Sequence, residues 1–137
     1  MKFRGKYYFL SNFYPAKITY RGFNFNSVEH GYQAFKAIYE EDFRKIQYAK
    51  SSKSAKRLGS LIPVRDDWDD IKLNIMYNLL EEKFSILYFK ERLLEIDEPI
   101  IEENDWGDTF WGVYNGKGEN NLGKLLTKIK NEIELMD

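Results

Sequence analysis

Phe25-Asn26-Ser27-Val28-Glu29-His30-Gly31-Tyr32-Gln33-Ala34-Phe35-Lys36 is the stretch on which the reading of this chain turns. Ser27 is a helix N-cap type placed directly before an apolar-periodic run. From Val28, the residues Val28, Tyr32, Phe35 and Tyr39 recur at i, i+4, i+7 and i+11 and form one apolar stripe. Glu29, Gln33 and Lys36 recur at i, i+4 and i+7. At about 100° per residue they share a polar stripe, with Tyr32 at its border. Two readings of that polar stripe stand side by side. It is either the solvated face of an amphipathic helix with a Glu–Lys pairing, or a carboxylate, an amide and an amine converging on a cleft beside aromatic rings. His30 lies about 100° from the Glu29 stripe and reads as a structural hydrogen-bonder.

Upstream, residues 1–26 read as extended and turn-rich. Ile18, Tyr20, Phe23 and Phe25 alternate with polar residues around Arg21-Gly22, the pattern of a short hairpin. Downstream, helical pieces are expected over 42–49 and 53–58, the second followed by Gly59 as its C′ residue. Asp67 is placed to cap a long helix to about Phe84, with Trp68, Ile71, Ile75, Leu79 and Leu80 on its buried face. Residues 86–95 read as a further short helix, Ile100 and Ile101 as a brief strand, and 103–121 as a loop rich in Gly, Asn and Asp. A last helix starts near Asn121 and carries Leu122, Leu125, Leu126, Ile129 and Ile133 along one side. The sum is a predominantly helical α+β fold, a single domain over 1–137 with a small antiparallel sheet near the N-terminus.

Composition narrows the chemistry. The 10 Phe, 10 Tyr and 3 Trp supply either a Phe-rich core edged by Tyr or flat walls for a heterocycle. A formal net charge of -1 argues against a binder of phosphate backbones as a whole. Lys50, Lys53, Lys56 and Arg57 are the local exception, read as a solvated helix face or as a phosphate-contacting rim. Without Cys, and with His30 as the lone His, disulfides, thiolate metal sites and multi-His metal sites are excluded. No stretch approaches the roughly 20 apolar residues of a membrane span, and no signal-type apolar region opens the chain. The expectation is a cytoplasmic protein with no membrane partner.

Two further segments carry candidate chemistry. The loop at 103–121 contains Trp106, Asp108, Trp111, Gly112, Gly116, Gly118 and Asn120. Glycines before a helix start let backbone N–H groups approach an anion, while the tryptophans serve a site or anchor the loop on a core. In Ser11-Asn12-Phe13, Asn12 can hydrogen-bond the edge of a ribose or base and Phe13 can stack on a ring; the other reading is a turn and a core Phe. Trp68, Lys72 and Lys83-Phe84 on the long helix read as packing.

Taken in order, these pieces resemble one family. Leu10-Ser11-Asn12-Phe13 is similar to its opening motif, and Phe25-x-Ser27-x-Glu29-His30-x-Tyr32-Gln33-Ala34-x-Lys36 to its central helix. Ala55-x-x-x-Gly59 follows, then Trp68-x-x-x-Lys72-x-x-x-Met76 and Leu80-x-x-Lys83-Phe84. Ile101-Glu102 precedes Asp108-x-x-Trp111-Gly112, and Gly116-x-Gly118-x-Asn120-x-Leu122-Gly123-x-Leu125-Leu126 closes the series. The family is that of YbiA-like and NADAR-domain proteins. The chain departs from its pattern at Ser60, in the stretch Leu94-Glu95-Ile96-Asp97, and at Thr127 and Lys130.

The resemblance implies hydrolysis of the C–N bond between ribose and a heterocycle, with no metal or organic cofactor. Its substrate classes are early riboflavin-pathway ribosylaminopyrimidine phosphates and ADP-ribosylated guanine, so a nucleic acid can be the substrate carrier. An oxocarbenium-like transition state calls for carboxylates, and the motifs select Glu29 and Asp108, one beside the ribose and one positioning water or a hydroxyl. Asn12 and Asn120 would hold the sugar or base edge, with Phe13 and Trp111 walling the ring. Tyr32, Gln33, Lys83 and Gly112 complete the expected substrate contacts. Lys36 joins the catalytic set, and either Lys36 or Lys83 could form a Schiff base with ring-opened ribose. The rivals are a non-catalytic ADP-ribose or nucleotide-binding module and a glycosidase acting on modified bases in single-stranded DNA.

Overall fold

Arg21 and Gly22, both at positive φ (50° and 82°), turn the chain between β1 (Ile18–Tyr20) and β2 (Phe23–Phe25). This two-residue, left-handed turn suits the right-handed twist of a tight hairpin. The register pairs Ile18 with Phe25 and Tyr20 with Phe23. The computed structural model describes residues 1–136. Six α-helices follow the hairpin among them: α1 (Val28–Ala34), α2 (Glu40–Gln47), α3 (Ser52–Gly59), α4 (Trp68–Phe84), α5 (Leu87–Leu94) and α6 (Asn121–Met136). The fold is therefore predominantly helical α+β with one small antiparallel sheet near the N-terminus. No helix among the described residues is long and apolar enough to cross a membrane.

The chain forms two compact units, one of residues 12–83 and one of residues 1–11 together with the chain from Phe84 onward. In the first, Ser27 caps α1: its side chain accepts from the His30 N–H, an arrangement worth about 1 kcal/mol. His30 Nε2 lies 2.9 Å from the Ala49 carbonyl, so it carries the ring proton, and Nδ1 accepts from Ser27 Oγ at 2.6 Å. His30 thus ties the start of α1 to the end of α2, as the structural reading expects. Gly31 lets α1 approach α4, because a Cβ there would stand 2.7 Å from Leu79 Cδ2. Phe23, Phe25, Phe35 and Phe43 pack edge-on or tilted against one another between hairpin, α1 and α2.

Several local expectations are corrected. Residues 5–10 form a short 3-10 helix rather than extended chain. α1 ends at Ala34, so Tyr39 does not extend its apolar stripe; it precedes α2 and is 60% exposed. Gly59 is the last residue of α3, not a left-handed C′ residue. Its reason is steric, since a Cβ there would overlap the Gln33 side-chain carbonyl. Asp67 directs its carboxylate to Arg65 at 2.6 Å. Ile100 and Ile101 form no strand; the bridging there is limited to Glu103 with Lys2 and with Val113.

Candidate active site

All seven residues of α1 are buried. Glu29 and Gln33 therefore do not face solvent as an ordinary amphipathic face would, at 7% and 6% exposed, while Lys36 lies past the end of α1 and is half-buried. Gln33 Nε2 donates to Glu29 Oε2 at 2.6 Å, and Lys36 Nζ donates to Gln33 Oε1 at 3.0 Å and to the Gly59 carbonyl at 3.2 Å. An amide thus links the carboxylate and the amine, and its orientation is dictated by their opposite needs, acceptor and donor. Burial lowers the Lys36 pKa, and the negative charge of Glu29 partly restores it. The same unit holds Tyr32, whose ring stands 5.0 Å from that of Trp68.

Asn12 and Phe13 stand beside this chain of side chains. The Glu29 N–H donates to the Asn12 carbonyl at 3.1 Å, which fixes the Asn12 backbone to the first turn of α1. Its Nδ2 reaches Met76 Sδ at 3.5 Å, and its buried Oδ1 has no hydrogen-bond partner among the described residues. A buried carbonyl oxygen left that way loses roughly 1–3 kcal/mol of solvation and is suited to accept from a ligand or an ordered water. Phe13 has Lys56 Nζ 5.8 Å from its ring centroid, which brings one member of the basic cluster to the stacking candidate.

Lys83 is the largest surprise in this unit. The sequence reading places it at the end of a packing helix and as a substrate contact. The structure closes it from solvent entirely, at 0% exposure, with Nζ 6.0 Å from the Tyr14 ring centroid. Desolvation of the ammonium lowers its pKa to about 7. The linkage has a definite sign. Unfolded Lys83 holds its proton up to about pH 10.4, whereas the folded protein releases it near 7. The unfolded state therefore binds more protons in that window, and folding stability rises with pH across it. Below about 7 the burial penalty is present in full. Melting temperatures should rise from pH 7 towards pH 10 in the wild type relative to Lys83→Met. Parallel curves for the two proteins would show that Lys83 is charged where it sits.

The second unit carries Asp108, Trp111, Gly112 and Asn120. Asp108 Oδ1 accepts from the N–H groups of Phe110 at 3.0 Å and Trp111 at 2.8 Å, so one carboxylate oxygen organises the turn that presents Trp111. Its Oδ2 makes no hydrogen bond among the described residues. Buried Asn104 holds the same turn from behind: Oδ1 accepts from the Asp108 N–H at 3.0 Å and Nδ2 donates to the Asp108 carbonyl at 2.9 Å. Asn120, at φ 54°, joins two carbonyl-side segments. Its Oδ1 accepts from Glu102 N–H at 2.9 Å and its Nδ2 donates to Ile100 O at 3.0 Å. Each end of that amide retains one hydrogen-bonding position.

The glycine-rich entry to α6 differs from an open anion cradle. The N–H groups of Asn120, Asn121 and Leu122 already donate to the carbonyls of Gly112, Phe110 and Trp111. Gly112 is required by packing, because a Cβ there would overlap the Glu102 carbonyl and stand 2.7 Å from Glu102 Oε2. Asn104 and Glu102, both buried, were not singled out as site residues. The signal available for Asn104 was its position four residues before Asp108 in a loop of turn formers. No group of three or more His, Cys, Asp or Glu able to hold a metal occurs among the described residues.

The architecture is that of a YbiA-like fold. The solved structure of the E. coli protein YbiA superposes with a TM-score of 0.87 at 28% sequence identity, over 99% of this chain and 85% of that one. The chain belongs to the NADAR domain family, which it matches over residues 2–134. It is 35% identical over 130 residues to the N-glycosidase Npun_R5314 of Nostoc punctiforme, covering 90% of this chain and 83% of that protein. A riboflavin biosynthesis protein of Vibrio vulnificus is 34% identical over 92% of this chain, and the chain spans 35% of its length.

Proposed function

We propose that the chain is an N-glycoside hydrolase that cleaves the ribose–heterocycle C–N bond of a nucleotide-like substrate. The observation that carries this reading is the Glu29–Gln33–Lys36 chain, in which a buried carboxylate is oriented through a buried amide tied to a half-buried amine. As the C–N bond breaks, the departing ring takes the bonding pair and positive charge builds on the ribose. A fixed carboxylate in a low-dielectric setting stabilises that charge far better than water does. Glu29 supplies it. Asp108, held by Oδ1, offers Oδ2 to orient the attacking water or a sugar hydroxyl. Asn12 accepts from the sugar or base edge through Oδ1. Phe13 and Tyr32 are the ring walls and Gln33 the amide contact in the unit of Glu29, and Trp111, Gly112 and Asn120 are the contacts in the unit of Asp108, while Lys83, at 0% exposure, is left out of the contact set.

The substrate is a ribosylaminopyrimidine phosphate or an ADP-ribosylated guanine; relatives named for N-glycosidase activity and for riboflavin biosynthesis support the first, and the second rests on the family resemblance alone. Chromatography of free base after incubation with both compounds tests it. Release from at least one is expected. Binding of both without release would favour a nucleotide-binding module, and salt-sensitive release from an oligonucleotide alone would favour a DNA-directed glycosidase.

A second route uses an amine: Lys36 stands 3.0 Å from Gln33 Oε1 and burial lowers its pKa, whereas Lys83 is closed from solvent. A neutral amine attacks the anomeric carbon, the heterocycle leaves with the C–N bonding pair and picks up a proton, the ribose ring opens to leave a Schiff base on the amine, and water then hydrolyses it to free the amine and the ribose. Borohydride added during turnover should then leave a reduced ribosyl adduct on Lys36. An unmodified protein mass under those conditions would eliminate this route and leave direct hydrolysis.

A further inference from the structure

Ser52, the first residue of α3, reaches back to the Phe13 backbone. Its Oγ lies 2.8 Å from the Phe13 carbonyl and 2.9 Å from Ser27 Oγ. Ser27 Oγ is in turn 2.6 Å from His30 Nδ1, and His30 Nε2 is 2.9 Å from the Ala49 carbonyl. A continuous row of contacts therefore runs from Phe13 through two hydroxyls and an imidazole to the chain just past α2, all within residues 12–83. Ser27 and His30 are buried and Ser52 is half-buried. One residue before Phe13, the Asn12 carbonyl accepts from the Glu29 N–H at 3.1 Å. Both carbonyls of the Asn12-Phe13 pair are thus tied to the helices that carry Glu29 and Ser52.

The row holds more contacts than a neutral His30 leaves hydrogens to fill. With the ring proton on Nε2, Nδ1 can only accept, so the Ser27 hydroxyl hydrogen is committed to it. Ser52 then brings one hydrogen to two acceptors, Phe13 O and Ser27 Oγ, and is shared between them. A second proton on the ring changes the count. Nδ1–H donates to Ser27 Oγ, which also accepts the His30 backbone N–H at 3.1 Å and so uses both its lone pairs. The Ser27 hydrogen turns to Ser52 Oγ, and the Ser52 hydrogen is left wholly to Phe13. Only the imidazolium satisfies all four contacts of the row at once.

α2, α3 and β2 pack on α1. On α1 itself, the carboxylate of Glu29 favours a charged ring. On α2, Arg44 and Lys45 are paired with Glu40 and Glu41, and Asp42 stands in the first turn. Tyr48 flanks Ala49 and is exposed. The exposed Lys50, Lys53, Lys56 and Arg57, on and before α3, oppose the charge through solvent, where salt screens it. β2 brings no titratable side chain.

Resting on the glycosidase reading for the roles of Asn12 and Phe13, we propose that Ser52 is a positioning residue for the Asn12-Phe13 segment, and that the protonation state of His30 sets how firmly Ser52 holds it. A charged ring locks the segment in its substrate-holding arrangement, and a neutral ring loosens it. The relay takes no part in bond cleavage.

His30 is the lone His, so the imidazole signals of the protein belong to one ring. Isotope-labelled wild type, Ser52→Ala and Ser52→Thr should be titrated by NMR between about pH 8 and pH 5, where histidine ordinarily changes charge. The ring nitrogens and the Phe13 carbonyl carbon are the probes. In wild type and Ser52→Thr the Phe13 carbon should shift with the same midpoint as the ring; in Ser52→Ala the ring should titrate alone. Base release from a ribosylaminopyrimidine phosphate supplies the functional readout. The ratio of the Ser52→Ala KM to the wild-type KM, from which the ionisation of the substrate cancels, should rise by about threefold to tenfold over the same acidification, with kcat nearly equal in the two proteins. The proposal is overturned if the ring stays neutral to the acid end, if the Phe13 carbon does not follow the ring, or if it follows in Ser52→Ala as well. A flat KM ratio alongside released base would also overturn it. A Phe13 carbon that follows the ring through Ser52, with no base released from any riboside by wild type, would instead retain the relay and remove the glycosidase reading.

Discussion

Glu29→Gln should lower the rate of base release by about 10²–10³-fold while the melting temperature stays within a few degrees of wild type. The substitution keeps shape and volume. A glutamine oxygen at this position can go on accepting from Gln33 Nε2, which lies 2.6 Å from Glu29 Oε2. What disappears is the negative charge, the element that distinguishes a developing oxocarbenium ion from a neutral ground-state sugar. The loss should therefore appear in kcat more than in KM. It should also push the Lys36 pKa lower still, because the Glu29 charge is what opposes desolvation there. Asp108→Asn forms the natural companion. Its amide oxygen can still cap Phe110 and Trp111, so the turn should survive while turnover falls by about a hundredfold. Initial rates by base-release chromatography, with thermal melts alongside, check both. Glu29→Gln with activity within threefold of wild type would remove the carboxylate from the reaction.

Gly112→Ala should be a strongly disruptive single-methyl change. A Cβ at this position would overlap the Glu102 carbonyl, stand 2.7 Å from Glu102 Oε2 and 2.8 Å from Asn104 Nδ2. The first of these is backbone, and it is already fixed: Val113 N–H donates to that same carbonyl at 2.8 Å, and Asn120 holds the Glu102 N–H. No flexible side chain can move aside to absorb the methyl group. The segments 100–104 and 110–113 must separate, at about 2–3 kcal/mol. That corresponds to roughly a 10 °C fall in melting temperature for a domain of this size. The Asn104–Asp108 clamp lies on the segment that moves, so activity should fall further than stability alone accounts for. Differential scanning calorimetry and initial rates on the same preparation test this. An unchanged melting temperature would mean the two segments are not held as tightly as their hydrogen bonds indicate.

Much of the local structure was legible in the residues. The Ser27 cap, the Arg21-Gly22 turn, the helical register from Val28 and the start of α6 near Asn121 all depend on neighbours within about four positions in the chain. The short 3-10 helix at Gly5–Leu10 was not, because it lacks a capping side chain and an apolar period. Tyr39 was misplaced for a related reason. The stripe arithmetic continues through it, but the helix stops at Ala34, and periodicity by itself does not mark where hydrogen bonding ends.

The polar stripe on α1 shows the limit most clearly. Spacing placed Glu29, Gln33 and Lys36 on one face, although α1 ends at Ala34 and Lys36 follows its C-cap; spacing is a property of one helix. Whether that face meets water or protein depends on what the rest of the chain lays over it, here including Gly59, whose missing side chain makes room for Gln33.

The sequence by itself determined the hairpin and most of the helices, the order of the motifs and the identity of the acidic and amide side chains offered to chemistry. Those follow from short-range sterics and hydrogen bonding, which a linear pattern records. Only the tertiary structure decided that Glu29 is withdrawn from solvent, that Lys83 is stripped of water until its pKa approaches 7, and that Trp106 is left in the open. Desolvation is a sum over atoms brought near from remote parts of the chain, and no local window of residues contains that sum.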